Sequence, residues 1–140
     1  MSKVRLASAV SKTVGGGTPE RNNPEFWNGG IPWASVKDFK EGSYNLTTTK
    51  EEISEKGLKM SASHLIPAGT PIICTRMAVG RIAQANRPVA INQDLRALYF
   101  HAHFDTNYLI WALDSIRPQI ENLAVGSTVK GINIEHLPEL

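Results

Sequence analysis

The sequence predicts an α+β domain: a mixed, mainly antiparallel β-sheet with hairpins, packed by a few helices. Three observations carry that expectation. Residues 65–101 hold the apolar runs LIPAGTPIICTR, VGRIAQ, PVAIN and LRALYF, separated by Gly, Pro and Asn, the texture of short strands joined by tight turns. After His103 the period changes, because Tyr108, Leu109, Trp111, Ala112, Ile116, Ile120 and Leu123 recur at three- and four-residue spacing, which is helical. Finally, 11 Gly and 8 Pro in 140 residues suit a chain rich in turns with little uninterrupted helix.

Along the chain, Val4, Leu6, Val10 and Val14 form a sparse apolar pattern that ends at Gly15-Gly16-Gly17, a turn or a close backbone approach. A short helical turn is expected to start near Pro24 and end at Gly29-Gly30. Residues 31–36, IPWASV, alternate large and small apolar groups and read as a short strand, with Pro32 placing it at an edge or a strand start. Thr49 and Glu52 form a candidate capping box for a short helix closed by Gly57. Four strands are expected at about 70–76, 79–85, 88–92 and 95–101, close enough for successive hairpins. The long helix would be capped by Asp105 or Thr106 and kinked or broken near Asp114 to Arg117, because Pro118 removes a backbone donor.

A chain of 140 residues has the length of one domain and can bury roughly two-thirds of its unfolded surface. With 41% hydrophobic and 20% charged residues it has an ordinary globular composition. The single cysteine, Cys74, has no internal disulfide partner and belongs to no CxxC set, which favours a reducing, cytoplasmic setting. No apolar run approaches the roughly 20 residues of a bilayer span, and the N-terminus is too polar for a signal peptide. A net charge of +2 from 15 basic and 13 acidic residues is slight. Its distribution is uneven: no carboxylate falls between Glu55 and Asp94, while Lys56, Lys59, Arg76, Arg81 and Arg87 do. Such a segment either presents a positive face to a polyanion or is a chance gap in a strand-rich stretch.

Catalytic and metal motifs fail one by one. Asn23-Pro24-Glu25-Phe26 imitates the Asn-Pro-Pro-aromatic string of amino-methyltransferases, but the second proline is a glutamate and no strand with a GxG turn precedes it. Glu25, Asp38 and Lys40 could be forced into a nuclease pattern, yet Asp38 and Lys40 read more simply as solvated turn residues. His101 and His103 give two imidazoles where Zn²⁺ needs three or four ligands. No metal, cofactor or catalytic set is therefore expected. The loop GSTVKG at 126–131 follows a helix rather than opening one, so it meets the negative end of a dipole and is no nucleotide site. It suits one nucleic-acid phosphate or a tight structural turn.

Five strings occur in order along nearly the whole chain: GGTPERNNPEFWNGGIPWASVKD at 16–38, ISEKGLKMSASHLIPAGT at 53–70, TRMAVGRIA at 75–83, AINQDLRAL at 90–98 and IENLAVGSTVKGINIEHLPEL at 120–140. Together they resemble a target recognition domain of the DNA specificity subunit of Type I restriction-modification systems. The resemblance implies a non-catalytic reader of one half of a split double-stranded DNA site. Adenine methylation would belong to a partner methyltransferase (modification) subunit, and translocation and cleavage to a restriction subunit. The expected organisation is a single recognition domain over 1–140, without the long connecting helix and second recognition domain that the family carries. Met77-Ala78 stands where the commoner form of the family has Gly-Ser.

On that reading the candidate DNA-binding residues are Arg21, Asn22, Lys37, Arg76, Arg81, Ser127, Thr128 and Lys130. Arg76 and Arg81 flank a hairpin-like turn and could reach phosphate, lie bidentate on guanine, or simply be solvated. Arg21, Asn22 and Lys37 have donors suited to base edges, although polar loops are mostly just solvated. Ser127, Thr128 and Lys130 could grip the backbone. Gln93 and Asp94 read as satisfying local backbone groups, and Trp27, Trp33 and Trp111 as core. The alternative to DNA recognition is a half-subunit or protein-interaction module that assembles with or regulates a methyltransferase complex.

Overall fold

The computed structural model describes residues 10–101, 105–115 and 117–118. Among these residues nine strands form two sheets. The first has the order β1 (Val10–Val14), β9 (Leu95–Phe100), β6 (Ile72–Cys74), β7 (Ile82–Ala85), β3 (Asn45–Leu46). The second has the order β4 (Glu51–Ile53), β2 (Trp27–Ala34), β8 (Val89–Ile91), β5 (Leu65–Ile66). Pairings are antiparallel except β2 with β8 and β3 with β7. Two α-helices stand among the described residues, α1 (Glu55–Lys59) and α2 (Thr106–Ser115), so the architecture is the α+β mixture that the sequence predicts.

Alternation along the buried strands builds the layers. Ile72 and Cys74 of β6 share one core with Ala83, Ala85, Leu95 and Ala97 of the first sheet and with Val89 and Ile91 of the second, so this core lies between the sheets. The intervening residues Ile73, Ile82 and Leu98 face the other way and pack under Ile110 and Leu113 of α2. The second sheet repeats the scheme, with Ala90, Trp33 and Ile53 on its outer face against Leu58 of α1. Because side chains alternate with period two, a strand covered on both faces is apolar throughout. That is why Ile72, Ile73 and Cys74 are all fully buried, and why burial pushes the Cys74 thiol up to about 12.

Several expectations are corrected. Strands β7, β8 and β9 do not form successive hairpins. Only β6 and β7 do, while β8 leaves for the second sheet to pair with β2 and β5. Val89 and Ile91 bury equally well on either sheet, so hydrophobicity alone did not choose the partner. The Thr49 capping box is not used: residues 51–53 are β4, paired through Trp33↔Glu51, Pro32↔Glu52 and Ile31↔Ile53. Burying Ile53 completely outweighs a local cap of about 1 kcal/mol. The helix begins instead at Ser54, whose Oγ accepts from the Gly57 N–H at 3.0 Å. Gly57 thus lies inside α1, where a Cβ would come within 2.5 Å of the Phe26 carbonyl oxygen.

The turn at Pro24–Phe26 is a single 3-10 turn, and Gly29-Gly30 do not end it; they fall in a bulge of β2, where Asn28 and Gly30 have φ of 59° and 92°. Pro32 lies in an interior strand and not at an edge, which is tolerated because the β8 register begins at Trp33. In α2 the capping residue is Asp105, whose Oδ1 accepts from the Tyr108 N–H at 3.1 Å. Trp111 is 67% exposed and so is not core. The apolar recurrence beyond Pro118, through Ile120 and Leu123, lies outside the described residues.

The hairpin between β6 and β7 is held by Cys74 N–H to Arg81 O (2.9 Å), Gly80 N–H to Cys74 O (3.0 Å) and Arg81 N–H to Ala78 O (3.1 Å). At its tip Met77 is 78% exposed with φ of 64°, the left-handed region that costs a side-chain-bearing residue roughly 1–2 kcal/mol. Glycine there gains unfolded-state entropy of about 0.5–1 kcal/mol. Met77→Gly should therefore stabilise the domain by a net gain below about 1 kcal/mol, seen as a higher urea midpoint at unchanged slope.

Candidate nucleic-acid interface

Because β2 and β8 run parallel in register Trp33↔Ala90 and Ala34↔Ile91, their carboxyl ends emerge side by side. After β2 comes the 3-10 turn Val36–Asp38; after β8 comes the segment Asn92-Gln93-Asp94. The glycine segment lies across the same edge. Gly17 N–H donates to Ile91 O at 3.2 Å, and a Cβ on Gly16 would sit 2.1 Å from that oxygen. Thr18 Oγ1 donates to Gln93 Oε1 at 2.7 Å, and Trp33 Nε1–H donates to Gly17 O at 3.1 Å.

Asp38 ties the rim together. One carboxylate oxygen accepts from Ser35 N–H (2.9 Å) and the other from Lys50 N–H (2.9 Å), so Asp38 is a backbone clamp and not the solvated turn residue the sequence suggested. These loops enclose a cleft of about 180 Å³ lined by Thr18, Arg21, Trp33, Lys37, Lys50, Glu51, Asn92 and Gln93 among others. The β6–β7 hairpin joins it at one end, where Thr75 N–H donates to Asp94 O at 2.9 Å and Arg76 Nη1 lies 3.9 Å from Asp94 Oδ1.

The sequence-selected residues divide clearly. Arg21 and Lys37 line the cleft, Arg76 stands beside Asp94, the residue after the cleft's Gln93, and Asn22 is exposed in the turn next to Arg21. Arg21 has its guanidinium carbon 4.3 Å from the Trp27 ring centroid and 5.2 Å from that of Trp33, with Nη1 2.6 Å from Glu51 Oε2. Lys37 makes no ion pair among the described residues and is exposed. Arg81 turns away: Nη1 donates to Phe39 O at 3.1 Å, and Nε lies 3.3 Å from Glu41 Oε2 without hydrogen-bond alignment. The same carboxylate takes Arg117 through two oxygens at 2.8 and 3.2 Å, and the two arginines hold the Glu41 carboxyl below its usual range. Ser127, Thr128 and Lys130, with the whole GSTVKG loop, lie outside the described residues.

Sequence reasoning missed Thr18, Lys50, Glu51 and Asn92. Nothing local marks them, since each reaches the cleft through strand pairing or a long-range hydrogen bond. Gln93 is not only a local backbone partner, because its side chain bonds Thr18 across 75 residues of sequence. The carboxylate-free basic segment is partly neutralised in space: Lys56 meets Glu25 and Arg81 meets Glu41. Among the described residues no three His, Cys, Asp or Glu side chains form a metal-ligand group, and no helix is long and apolar enough to cross a membrane.

Fold and cleft together define a two-sheet α+β domain whose polar chemistry sits on loops at the carboxyl ends of a parallel strand pair, with cations and amides mixed. Residues 3–140 match the family described as Type I restriction modification DNA specificity domain, and the chain belongs to that family. It is 26% identical over 140 residues to the Type I restriction enzyme MjaIX specificity subunit of Methanocaldococcus jannaschii, covering 98% of this chain and 32% of that subunit. To the EcoR124I/EcoR124II specificity subunit of Escherichia coli it is 32% identical over 135 residues, covering 91% and 33%. The solved HsdS subunit from Thermoanaerobacter tengcongensis superposes with a TM-score of 0.65 at 20% identity, over 99% of this chain and 32% of that one. The chain thus spans about a third of the length of the relatives it matches.

Proposed function

We propose that this domain recognises one half of a split double-stranded DNA site as a non-catalytic part of a cytoplasmic Type I restriction-modification specificity subunit. Partner methyltransferase and restriction subunits would supply the chemistry. The observation that carries this reading is the convergence of Arg21, Lys37 and Lys50 with Asn92 and Gln93 on one cleft, with Arg76 beside Asp94, the residue after Gln93, in a chain of a DNA specificity family. Cations fix a duplex by its phosphates, while amides and arginines can read base edges.

Neutralising phosphates releases counterions, so each lost contact flattens the salt dependence of binding by about 0.9 in log–log slope. In a specificity subunit assembled with its methyltransferase, Lys37→Ala with Lys50→Ala should weaken DNA binding and lower the slope by about 2 × 0.9. Unchanged affinity and slope in a titration from low to moderate salt would overturn the reading. The protein-interaction alternative draws on a different observation: Trp111 is 67% and Tyr108 47% exposed on α2, with ring centroids 6.1 Å apart. Retained DNA binding by Trp111→Ala, with loss of methyltransferase co-purification, would assign α2 to assembly.

A further inference from the structure

Arg21 is held more firmly than a loop arginine needs to be. Both indoles beneath it donate to the loop that carries it, Trp27 Nε1–H to Glu20 O and Trp33 Nε1–H to Gly17 O, each at 3.1 Å. The two rings meet edge to face, with centroids 5.3 Å apart and planes at 89°, and the guanidinium lies over both. Stacking fixes the plane of the guanidinium fork and removes much of the entropy a free arginine loses on binding an anion. Among the described residues only one of its donors, Nη1–H, has a side-chain acceptor, Glu51 at 2.6 Å. Glu51 is held from below by its β4 register opposite Trp33. Two clefts, of about 180 and 260 Å³, open at this ion pair, and both are lined by Arg21, Lys50 and Glu51.

From this arrangement we infer that the Arg21 seat is a binding site for one DNA backbone phosphate, and that Glu51 is its built-in competitor. The carboxylate occupies the place of an anion on the guanidinium in the DNA-free domain. A phosphodiester entering from either cleft displaces it, with Lys50 beside the pair to receive the second oxygen. This rests on the DNA-recognition reading above and deepens it. Because a phosphate carries no base identity, Glu51 lowers affinity for cognate and non-cognate duplexes alike.

The test uses the assembled specificity–methyltransferase complex and duplexes with and without its target. Arg21→Ala is expected to weaken both duplexes and to reduce the log–log salt slope by about 0.9. Glu51→Gln keeps the size of the side chain and is expected to strengthen both by about two- to fivefold, the range of an exposed ion pair, at an unchanged cognate to non-cognate ratio. In the Arg21→Ala background the Glu51→Gln gain should vanish. An equal gain without Arg21 would make Glu51 a general repulsive charge, and no gain at all would make it a structural partner; either result overturns the inference while leaving DNA recognition standing. If the unsubstituted complex fails to bind DNA, the function reading falls, and this inference with it. Unchanged melting midpoints of the variants exclude misfolding as the cause.

Discussion

Gly16→Ala should cost this domain about 3 kcal/mol or more. The added Cβ would lie 2.1 Å from the Ile91 carbonyl oxygen and 2.6 Å from that of Asn92, far inside van der Waals contact. Both neighbours are backbone at the end of β8, which is itself paired on both sides by β2 and β5. Nothing flexible is available to move, so relief requires shifting a central strand, beyond the usual 1–3 kcal/mol of overpacking. Against a typical total stability of about 5–15 kcal/mol such a loss is severe. Urea denaturation followed by circular dichroism measures it; a loss below about 1 kcal/mol would show that the glycine segment does not pack on β8. Since the same contact sets Gln93 beside Thr18, any residual folded protein should also bind DNA more weakly.

Trp33→Ala is expected to cost about 3–5 kcal/mol, as for large aromatic truncations in cores. The side chain is 3% exposed and packs with Ile53 and Ala90 on the outer face of the second sheet. Its loss removes three things together: buried area, the indole N–H bond to Gly17 O, and half of the aromatic seat under Arg21. Trp33→Phe separates them, because phenylalanine keeps most of the apolar area but has no donor for the Gly17 carbonyl. It should lose about 1–2 kcal/mol, the size of one unsatisfied buried acceptor with some lost packing. Equal melting midpoints for the tryptophan and phenylalanine proteins would show that the Gly17 bond contributes nothing.

Some of this molecule can be read directly from the chain. Strand periodicity placed β6, β7, β8 and β9 within a few residues, since apolar runs between Gly and Pro have few other uses. The three consecutive glycines announced a turn or a close approach, and Asp105 or Thr106 a helix start. Two cleft residues, Arg21 and Lys37, and Arg76 beside Asp94 stood out by residue type within a recognisable order of motifs. The partners of those elements were not legible. Val89 to Ile91 buries equally well in either sheet, so only the pairing with β2 and β5 decides that its carboxyl end lies beside Lys37.

The central strands β6 to β9, the α+β class and the family are thus written in the chain itself, because these depend on local pattern and motif order; β1, β3, β4 and β5 are too short or too polar to show that pattern. Which charges become neighbours is set by the folded chain alone. Arg81 and Arg76 are alike in sequence, yet one is bound inward to Phe39 and Glu41 and the other stands exposed beside Asp94. Lys50 and Glu51 have no local signal and reach the site because β4 pairs with β2. Coulomb interactions depend on separation in space, and the parallel β2–β8 pair sets that separation across stretches of chain that sequence spacing does not relate.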